Sequence, residues 1–349
     1  MQKLIPDRRL ESFARLGLWL DDFCRGRQPA EYEILEEAAL RSENANPWFT
    51  SGFIASSLRE ISLMLQYDDL VNWLAPYRQE LERNTGPKTI GVVMAGNIPA
   101  VGFHDYLSVL ISGNRITAKI SASDRYLIPA LHQILLNLEP GWEGTAQFTS
   151  GIIHEFDKAI ATGSNNSARY FEYYFRNHPA IIRKNRTSIA ILTGKEEPDM
   201  LDGIAADAML YFGLGCRSVT HILVPEGFEL SSLNKHFKRY NHFLDHSKFR
   251  NNHDYYRSVF IVNNTPFYTA GPVMLKEDPS LTSPVSVIHC SYYKDIEHVE
   301  AFVRYAADRL QSVVTSGSFS FPAILPGHSH KPRLWDYADG VDTIRFLLE

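Results

Sequence analysis

Cysteine is scarce in this sequence. Only Cys24, Cys216 and Cys290 occur in 349 residues, and no two form a Cys-x-x-Cys pair. That argues against a disulfide framework and a structural zinc site and fits a reducing compartment, so a cytoplasmic protein without metal is expected. No apolar run approaches the roughly 20 residues of a membrane span. The stretch Met1-Gln2-Lys3-Leu4-Ile5-Pro6-Asp7-Arg8-Arg9 lacks the apolar segment of a secretory signal. An excess of positive charge is also missing: the net charge of −5 argues against a general nucleic-acid surface. No internal repeat or low-complexity tract is present, and no Gly-x-Gly-x-x-Gly fingerprint follows a strand-like run.

What remains is the composition of a soluble globular protein, 44% hydrophobic and 21% charged. The length suffices for a large core and two domains. Residues 1 to about 85 read as helical. Leu10, Phe13, Leu16, Leu18 and Leu20 recur at helical spacing, as do Leu58, Ile61, Leu63, Met64 and Leu65, and Asn46-Pro47-Trp48-Phe49-Thr50 separates the two runs.

From Lys88 the pattern changes to strand–helix alternation. Residues 89–94 form a buried-strand run, followed by the turn Ala95-Gly96-Asn97-Ile98-Pro99, with Pro99 suited to the first helical position. The helix continues over 101–111, a strand over 115–120, and a helix over 125–138 that Asp124 can cap. Residues 159–164 end a strand, 166–176 read as a helix and 188–192 as a strand ending in Thr193-Gly194-Lys195. This order predicts a parallel sheet with right-handed crossovers. Ligands in such sheets sit beyond the C-terminal strand ends, where Asn97 and Lys119 fall. Backbone N–H groups starting the helix at Asn166 suit a phosphate. A domain boundary is expected near Lys195, dividing the chain into 1–195 and 196–349, with a C-terminal tail able to pack back on the first domain. Later strands are expected over 219–224, 259–262, 285–289 and 312–315, with a helix over 298–311 and an ordered tail rich in Pro, Gly, His and Trp.

The remaining cysteine context is Tyr211-Phe212-Gly213-Leu214-Gly215-Cys216-Arg217-Ser218, between a helical run over 199–212 and a strand. Gly213 and Gly215 remove side chains beside the thiol, so backbone or ligand can approach. At a reference pKa of about 8.5, a few per cent of a cysteine is already thiolate at neutral pH. Arg217 or a nearby helix end would raise that fraction. The alternative is a small buried hydrophobe between helix and strand.

An ordered set of short motifs resembles the aldehyde dehydrogenase superfamily over roughly residues 90 to 320. Gly96-Asn97-Ile98-Pro99 is similar to its Trp-Asn-Phe-Pro turn, and Gly113-Asn114-Arg115-Ile116-Thr117-Ala118-Lys119 to its Gly-Asn-Thr-Val-Val-x-Lys strand. Thr162-Gly163-Ser164 matches its Thr-Gly-Ser turn, and Ile191-Leu192-Thr193-Gly194-Lys195 resembles Glu-Leu-Gly-Gly-Lys. Gly215-Cys216 falls where the nucleophile stands, and Ser283-Pro284-Val285 is similar to a later Gly-Pro-Val/Phe. The helical N-terminal segment, the short length and Leu-Gly-Cys-Arg-Ser resemble one branch most. That branch is the acyl-CoA reductase family, similar to the fatty-acid reductase subunit of bacterial luminescence systems.

The resemblance implies an α/β fold of two Rossmann-like parallel-sheet domains behind an N-terminal helical segment. The first domain would bind NAD(P) and the second would carry the catalytic cysteine. It implies NAD(P)H-dependent reduction of an acyl-CoA or acyl-carrier thioester to an aldehyde. Cys216 would form the acyl-enzyme, and Asn97 with the Cys216 N–H would stabilise the oxyanion, unless Asn97 is a helix cap. Lys119 would meet the adenosine ribose or its phosphate, unless it is a solvated strand-end lysine. Thr162, Gly163 and Ser164 would meet the pyrophosphate, against a plain helix cap, and Thr193 and Gly194 would line the nicotinamide, against a plain turn. Dimers and tetramers are common in the superfamily, so a homo-oligomer is admitted.

The chain departs from the superfamily at three places. The deacylating glutamate falls at Ile191, which implies poor hydrolysis unless Glu196 or Glu197 reaches the site. The ribose-binding glutamate has no match near 280–283. The acidic residue after the cofactor lysine is Ala122, which implies NADPH over NADH. Two other readings stay open: a CoA-acylating aldehyde dehydrogenase working oxidatively, and a cofactor-binding subunit without turnover.

Overall fold

The computed structural model describes residues 5–83 and 86–349; residues 1–4 of the N-terminal stretch and 84–85 of the expected helical segment lie outside them. The chain forms two compact units. Unit 1 is Met1–Lys184 with Pro332–Glu349, and unit 2 is Asn185–Lys331.

Unit 1 opens with helices α1 (Pro6–Cys24), α2 (Glu33–Ala45), α3 (Ser51–Met64), α4 (Tyr67–Leu74) and α5 (Arg78–Arg83). Pro6 starts α1 at a position where a missing N–H costs nothing. Gly17 is required midway along it, because a Cβ there would lie 2.7 Å from that of Leu65. Then follow β1 (Thr89–Val93), α6 (Phe103–Ile111), β2 (Arg115–Lys119), α7 (Leu127–Leu138), β3 (Ala146–Thr149), β4 (Lys158–Thr162), α8 (Asn165–Tyr174) and β5 (Ala180–Arg183). The strands form one parallel sheet in the order β3-β2-β1-β4-β5.

Strand alternation splits the core between the two faces of this sheet. Ile90, Val92, Ile116, Ala118 and Ile160 pack with α1, α6 and α7, while Ala159 and Ala161 pack with Phe171 and Phe175 of the α8 side. The β3–β4 connection carries no helix. It leaves a polar cavity of about 370 Å³ beside Arg115, Thr117 and Gln147.

Two local expectations need correction. Helix α6 begins at Phe103, after a turn in which Ala100 takes a left-handed φ of 52°. Asp124 does not cap α7, which is preceded by Tyr126 with no side-chain cap; Asp124 turns back instead and accepts the Ala100 N–H at 2.7 Å.

Unit 2 contains β6 (Thr187–Ile191), α9 (Pro198–Met209), β7 (Val219–Pro225), α10 (Asn234–Phe237), α11 (Ser247–Val262), β8 (Tyr268–Ala270), β9 (Val273–Glu277), β10 (Val287–Tyr293), α12 (Ile296–Ala306) and β11 (Leu310–Val314). Its sheet runs β11-β6-β7-β10-β9-β8, parallel except for the antiparallel edge strand β8. The division falls at Lys184/Asn185 rather than near Lys195, because β6 pairs with β7 and β11.

The strand expected over 259–262 is the last turn of α11. The His246 ring accepts the Phe249 N–H and starts the helix, and only Phe249 and Phe260 are buried along it. Ile261 and Val262 are 56% and 78% exposed, so the end of the run faces outward, while Val259 packs partly buried beside Phe260.

The chain then returns to unit 1 and ends in α13 (Thr343–Leu348). The Arg183 guanidinium donates to both Asp105 oxygens, at 2.8 and 2.6 Å, and to Thr343 Oγ1 at 3.2 Å. Asn114 Nδ2 donates to the Leu347 carbonyl, and Trp73 Nε1 to the Tyr337 hydroxyl. Removing one partner of a buried pair strands the other charge, at a cost of about 3–5 kcal/mol. Asp105→Ala is therefore expected to lower unfolding free energy by about that amount in urea titrations, far more than the exposed Arg78–Glu82 pair would on Glu82→Ala, at about 0–1 kcal/mol.

Candidate active site

In unit 1 the parallel register gathers the candidate residues at one edge. Val93 pairs with Lys119 on one side and Ala161 on the other, so the Asn97 loop, Lys119 and the Thr162-Gly163-Ser164 turn all follow the C-terminal ends of β1, β2 and β4. Asn97 is exposed on its loop. It is not the cap of α6, since Gly102 holds that position.

Lys119 is half-buried and makes no ion pair or side-chain hydrogen bond among the described residues. Ser164 does cap α8, accepting the Ser167 N–H at 3.1 Å. Gly163 has a packing reason as well: a Cβ there would lie 2.8 Å from the Phe171 ring. The loop carrying Asn97 is tied at Pro99, whose carbonyl accepts from Ser57 Oγ at 2.7 Å, and at Ala100 by Asp124.

In unit 2 the chain enters the Cys216 turn through a strained approach. Tyr211, Phe212 and Gly213 have φ of 55°, 55° and 76°. The two non-glycine residues each cost about 1–3 kcal/mol in this region, which the surroundings must offset. The Phe212 ring packs against Phe243, His246 and Phe249 with centroids 4.7, 4.7 and 5.4 Å away.

The turn itself closes by Ser218 N–H donating to the Gly215 carbonyl at 3.0 Å and Gly215 N–H to Ser218 Oγ at 3.2 Å. Ser188 Oγ donates to the Cys216 carbonyl at 3.0 Å, leaving Ser312 to donate to Ser188 at 2.7 Å. Behind the turn, His330 Nε2 stands 3.4 Å from Ser218 Oγ and 3.2 Å from the Asp207 carbonyl. The Asp207 carboxylate in turn holds the Gly327 N–H, the Ser329 N–H and the Ser329 hydroxyl. Burial pushes His330 down to about 4, so it is neutral at physiological pH.

The three thiols differ sharply. Cys216 is exposed, Cys24 is half-buried and Cys290 is buried. Burial and nearby Glu277 push the Cys290 thiol up to about 12, and burial with Asp21 raises that of Cys24.

The structure does not bring Thr193 and Gly194 to this turn. Ser188 pairs with Val219 at the N-terminal edge of the sheet, where Cys216 lies, whereas Thr193 follows the opposite end of β6. Five residues of strand separate the two levels, about 16 Å. The Thr193 and Gly194 N–H groups are already held by the Glu196 carboxylate, at 2.5 and 3.1 Å, and the Thr193 hydroxyl by the same group at 2.7 Å. Ile191 does not stand over the thiol either. It is fully buried with Val299 and Val303 in the core under α12, so the expectation of poor hydrolysis loses its basis. Ser188, Asp207, Ser312 and His330 were not legible as site residues; only Ser218 lay within the cysteine motif.

No family profile matches the chain, and no curated protein does. Solved structures do. Aldehyde dehydrogenase 21 from Physcomitrella patens, in complex with the reaction product succinate, covers 99% of this chain and 84% of its own at 11% identity, with a TM-score of 0.67. The NAD+ complex of an aldehyde dehydrogenase from Bacillus cereus covers 89% and 72% at 12% identity and TM-score 0.63. A mutant aldehyde dehydrogenase C from Pseudomonas syringae, complexed with NAD+ and octanal, covers 93% and 78% at 13% identity and TM-score 0.61. The chain has the aldehyde dehydrogenase fold.

Within this aldehyde dehydrogenase fold, no helix of the described residues is long and apolar enough to cross a membrane. No group of three or more His, Cys, Asp or Glu among them could hold a metal ion. The exposure of the thiols sets an order of reactivity. Alkylation of the folded protein is expected to modify Cys216 first and to leave Cys290 unmodified until denaturant is added, as read by peptide mass mapping. A thiol at about 12 is only about 10⁻⁴ thiolate at pH 8.

Proposed function

We propose that this chain reduces an acyl thioester to an aldehyde with NAD(P)H through an acyl-enzyme on Cys216. The observation that carries the reading is an exposed thiol on a strained, doubly anchored turn in an aldehyde dehydrogenase fold. The Cys216 thiolate attacks the thioester carbonyl carbon. A new C–S bond forms, and the carbonyl oxygen takes up the negative charge. When that charge returns, the bond to the leaving thiolate breaks and the thiolate takes a proton. Asn97 and the Cys216 N–H are the donors proposed for the oxyanion, each worth about 10²–10³ in rate.

The residues at the unit 1 sheet edge fit a nicotinamide dinucleotide. Lys119 is a cation without a carboxylate partner among the described residues, and the Thr162-Gly163-Ser164 turn opens a ten-residue helix whose N-terminus favours an anion. These are the residues that would hold it, and when bound it supplies the hydride that releases the acyl group as aldehyde. Thr193 and Gly194 are not part of this assignment.

The oxidative direction, from aldehyde and CoA to acyl-CoA, uses the same residues. It is favoured by the NAD+ complexes among the similar structures. A subunit without turnover is disfavoured by the exposed Cys216. A reducing, cytoplasmic setting belongs to the same reading, since an open thiol of this kind must stay reduced. A homo-oligomer remains part of it as well.

Two tests follow from these roles. Incubation with a long-chain acyl-CoA, without cofactor, is expected to place the acyl mass on the Cys216 peptide, and Cys216→Ser to abolish it. Asn97→Ala should leave alkylation of Cys216 intact while slowing NADPH oxidation by about 10²-fold. Persistent acylation of the serine variant on Cys24 or Cys290 would sink the assignment.

Cofactor choice rests on Ala122, which replaces a carboxylate that would repel a 2′-phosphate, and on the positive charge of Lys119 and Arg125. The kcat/KM for NADPH is expected to exceed that for NADH in spectrophotometric assays, and Lys119→Ala to narrow the gap.

A further inference from the structure

Asp124 is a carboxylic acid with an incomplete set of partners. It is 5% exposed, its Oδ2 accepts the Ala100 N–H at 2.7 Å, and its Oδ1 has no hydrogen-bond partner among the described residues. A buried carboxyl with one hydrogen bond is costly, so packing alone is a poor account of it.

What it touches is specific. Ala100 is a left-handed alanine three residues after Asn97, a conformation that costs about 1–3 kcal/mol and persists only when the surroundings impose it. On the other side of Asn97, a Cβ on Gly96 would lie 2.4 Å from Ser121 Oγ and 3.4 Å from the Asp124 Cβ. The loop after β2 therefore grips the Asn97 turn on both sides, through close packing at Gly96 and a hydrogen bond at Ala100.

We propose that Asp124 is a positioning residue, holding Ala100 in its left-handed conformation so that Asn97 is presented as oxyanion donor. This rests on the role given to Asn97 above. The ionised carboxylate is the stronger acceptor, so the grip tightens when Asp124 loses its proton. Burial raises its carboxyl to about 7, opposed only by the Ala100 N–H. The segments packed here present Ser57, Gly96, Pro99, Ala100 and Ser121, none of which titrates. The neighbouring Arg125 is exposed and donates through Nε to the Ala122 carbonyl.

The test is a double-mutant cycle on the full chain, with acyl-CoA and NADPH, measuring kcat and KM across neutral pH for Asn97→Ala, Asp124→Ala, both together, and Asp124→Asn. Asp124→Ala is expected to lower kcat by about 10-fold or more, with KM little changed, and the double variant to be no slower than Asn97→Ala. Asp124→Asn keeps an acceptor oxygen and should recover most of kcat while losing the rise of rate near pH 7. Additive losses in the double variant, wild-type kcat in Asp124→Ala, or an unchanged pH profile in Asp124→Asn would each overturn the proposal. If Asn97→Ala itself leaves kcat unchanged, the reading of Asn97 fails and this proposal with it. If Asp124→Ala does not fold by thermal melting, the pH profile of Asp124→Asn decides.

Discussion

Unit 1 closes on a buried ion pair. The Asp105 and Arg183 side chains are each less than 10% exposed, and neither tolerates isolation from the other. Asp105 stands in the first turn of α6, Arg183 ends β5, and Thr343 of α13 takes a further hydrogen bond. Three segments far apart in sequence must meet for the pair to form. The last of them arrives only after the chain has completed unit 2, so unit 1 is a discontinuous fold whose final helix supplies part of the seal. The same constraint fixes the downstream end of the Asn97 loop, which runs directly into α6.

Buried polar groups also organise the Cys216 turn. The polar groups of the turn and of its supports find partners on β6, within the turn itself and in the segment after residue 326. Ser188 serves the Cys216 carbonyl, and Ser218 serves the Gly215 N–H. Asp207 is satisfied by three donors from Gly327 and Ser329. Satisfied networks of this kind specify one arrangement, because any other leaves a polar group unpaired. That rigidity is what lets Tyr211 and Phe212 remain left-handed immediately before the turn.

Much of the architecture was legible because buried strands write themselves as apolar runs. Residues 89–93 and 219–225 are such runs, 115–119 alternates apolar and polar residues, and the turns after them contain the residues that punctuate chains. Residues 259–262 misled for a physical reason. Valine and isoleucine favour strands, but that preference is weak beside a helix already begun at His246 and packed through Phe249 and Phe260. Asp124 misled because capping is a local option, and the Ala100 N–H, 24 residues away in the chain, competes for the same oxygen. Thr193 and Gly194 misled in another way. A motif shows that a strand ends, but not which edge of the sheet the next functional residue occupies. That depends on the pairing of β6 with β7, which places Cys216 beside Ser188. Asp207 with Ser329, and Ser218 with His330, are 122 and 112 residues apart, so nothing local could have joined them.

The two candidate loops are held by groups that answer differently to pH. The Cys216 turn is fastened by serine hydroxyls and peptide groups, with a histidine that burial keeps neutral down to about 4. None of these changes charge near neutrality. There the hold on the turn stays as it is. The Asn97 turn is fastened by a carboxyl raised to about 7, and its hold changes across the same range. On the proposed roles, a pH-dependent step that leaves thiol alkylation unaffected points to the Asn97 loop. The separation arises because Asp124 is an acid buried with a single donor, whereas Asp207, the buried acid behind the Cys216 turn, is held by three donors from Gly327 and Ser329.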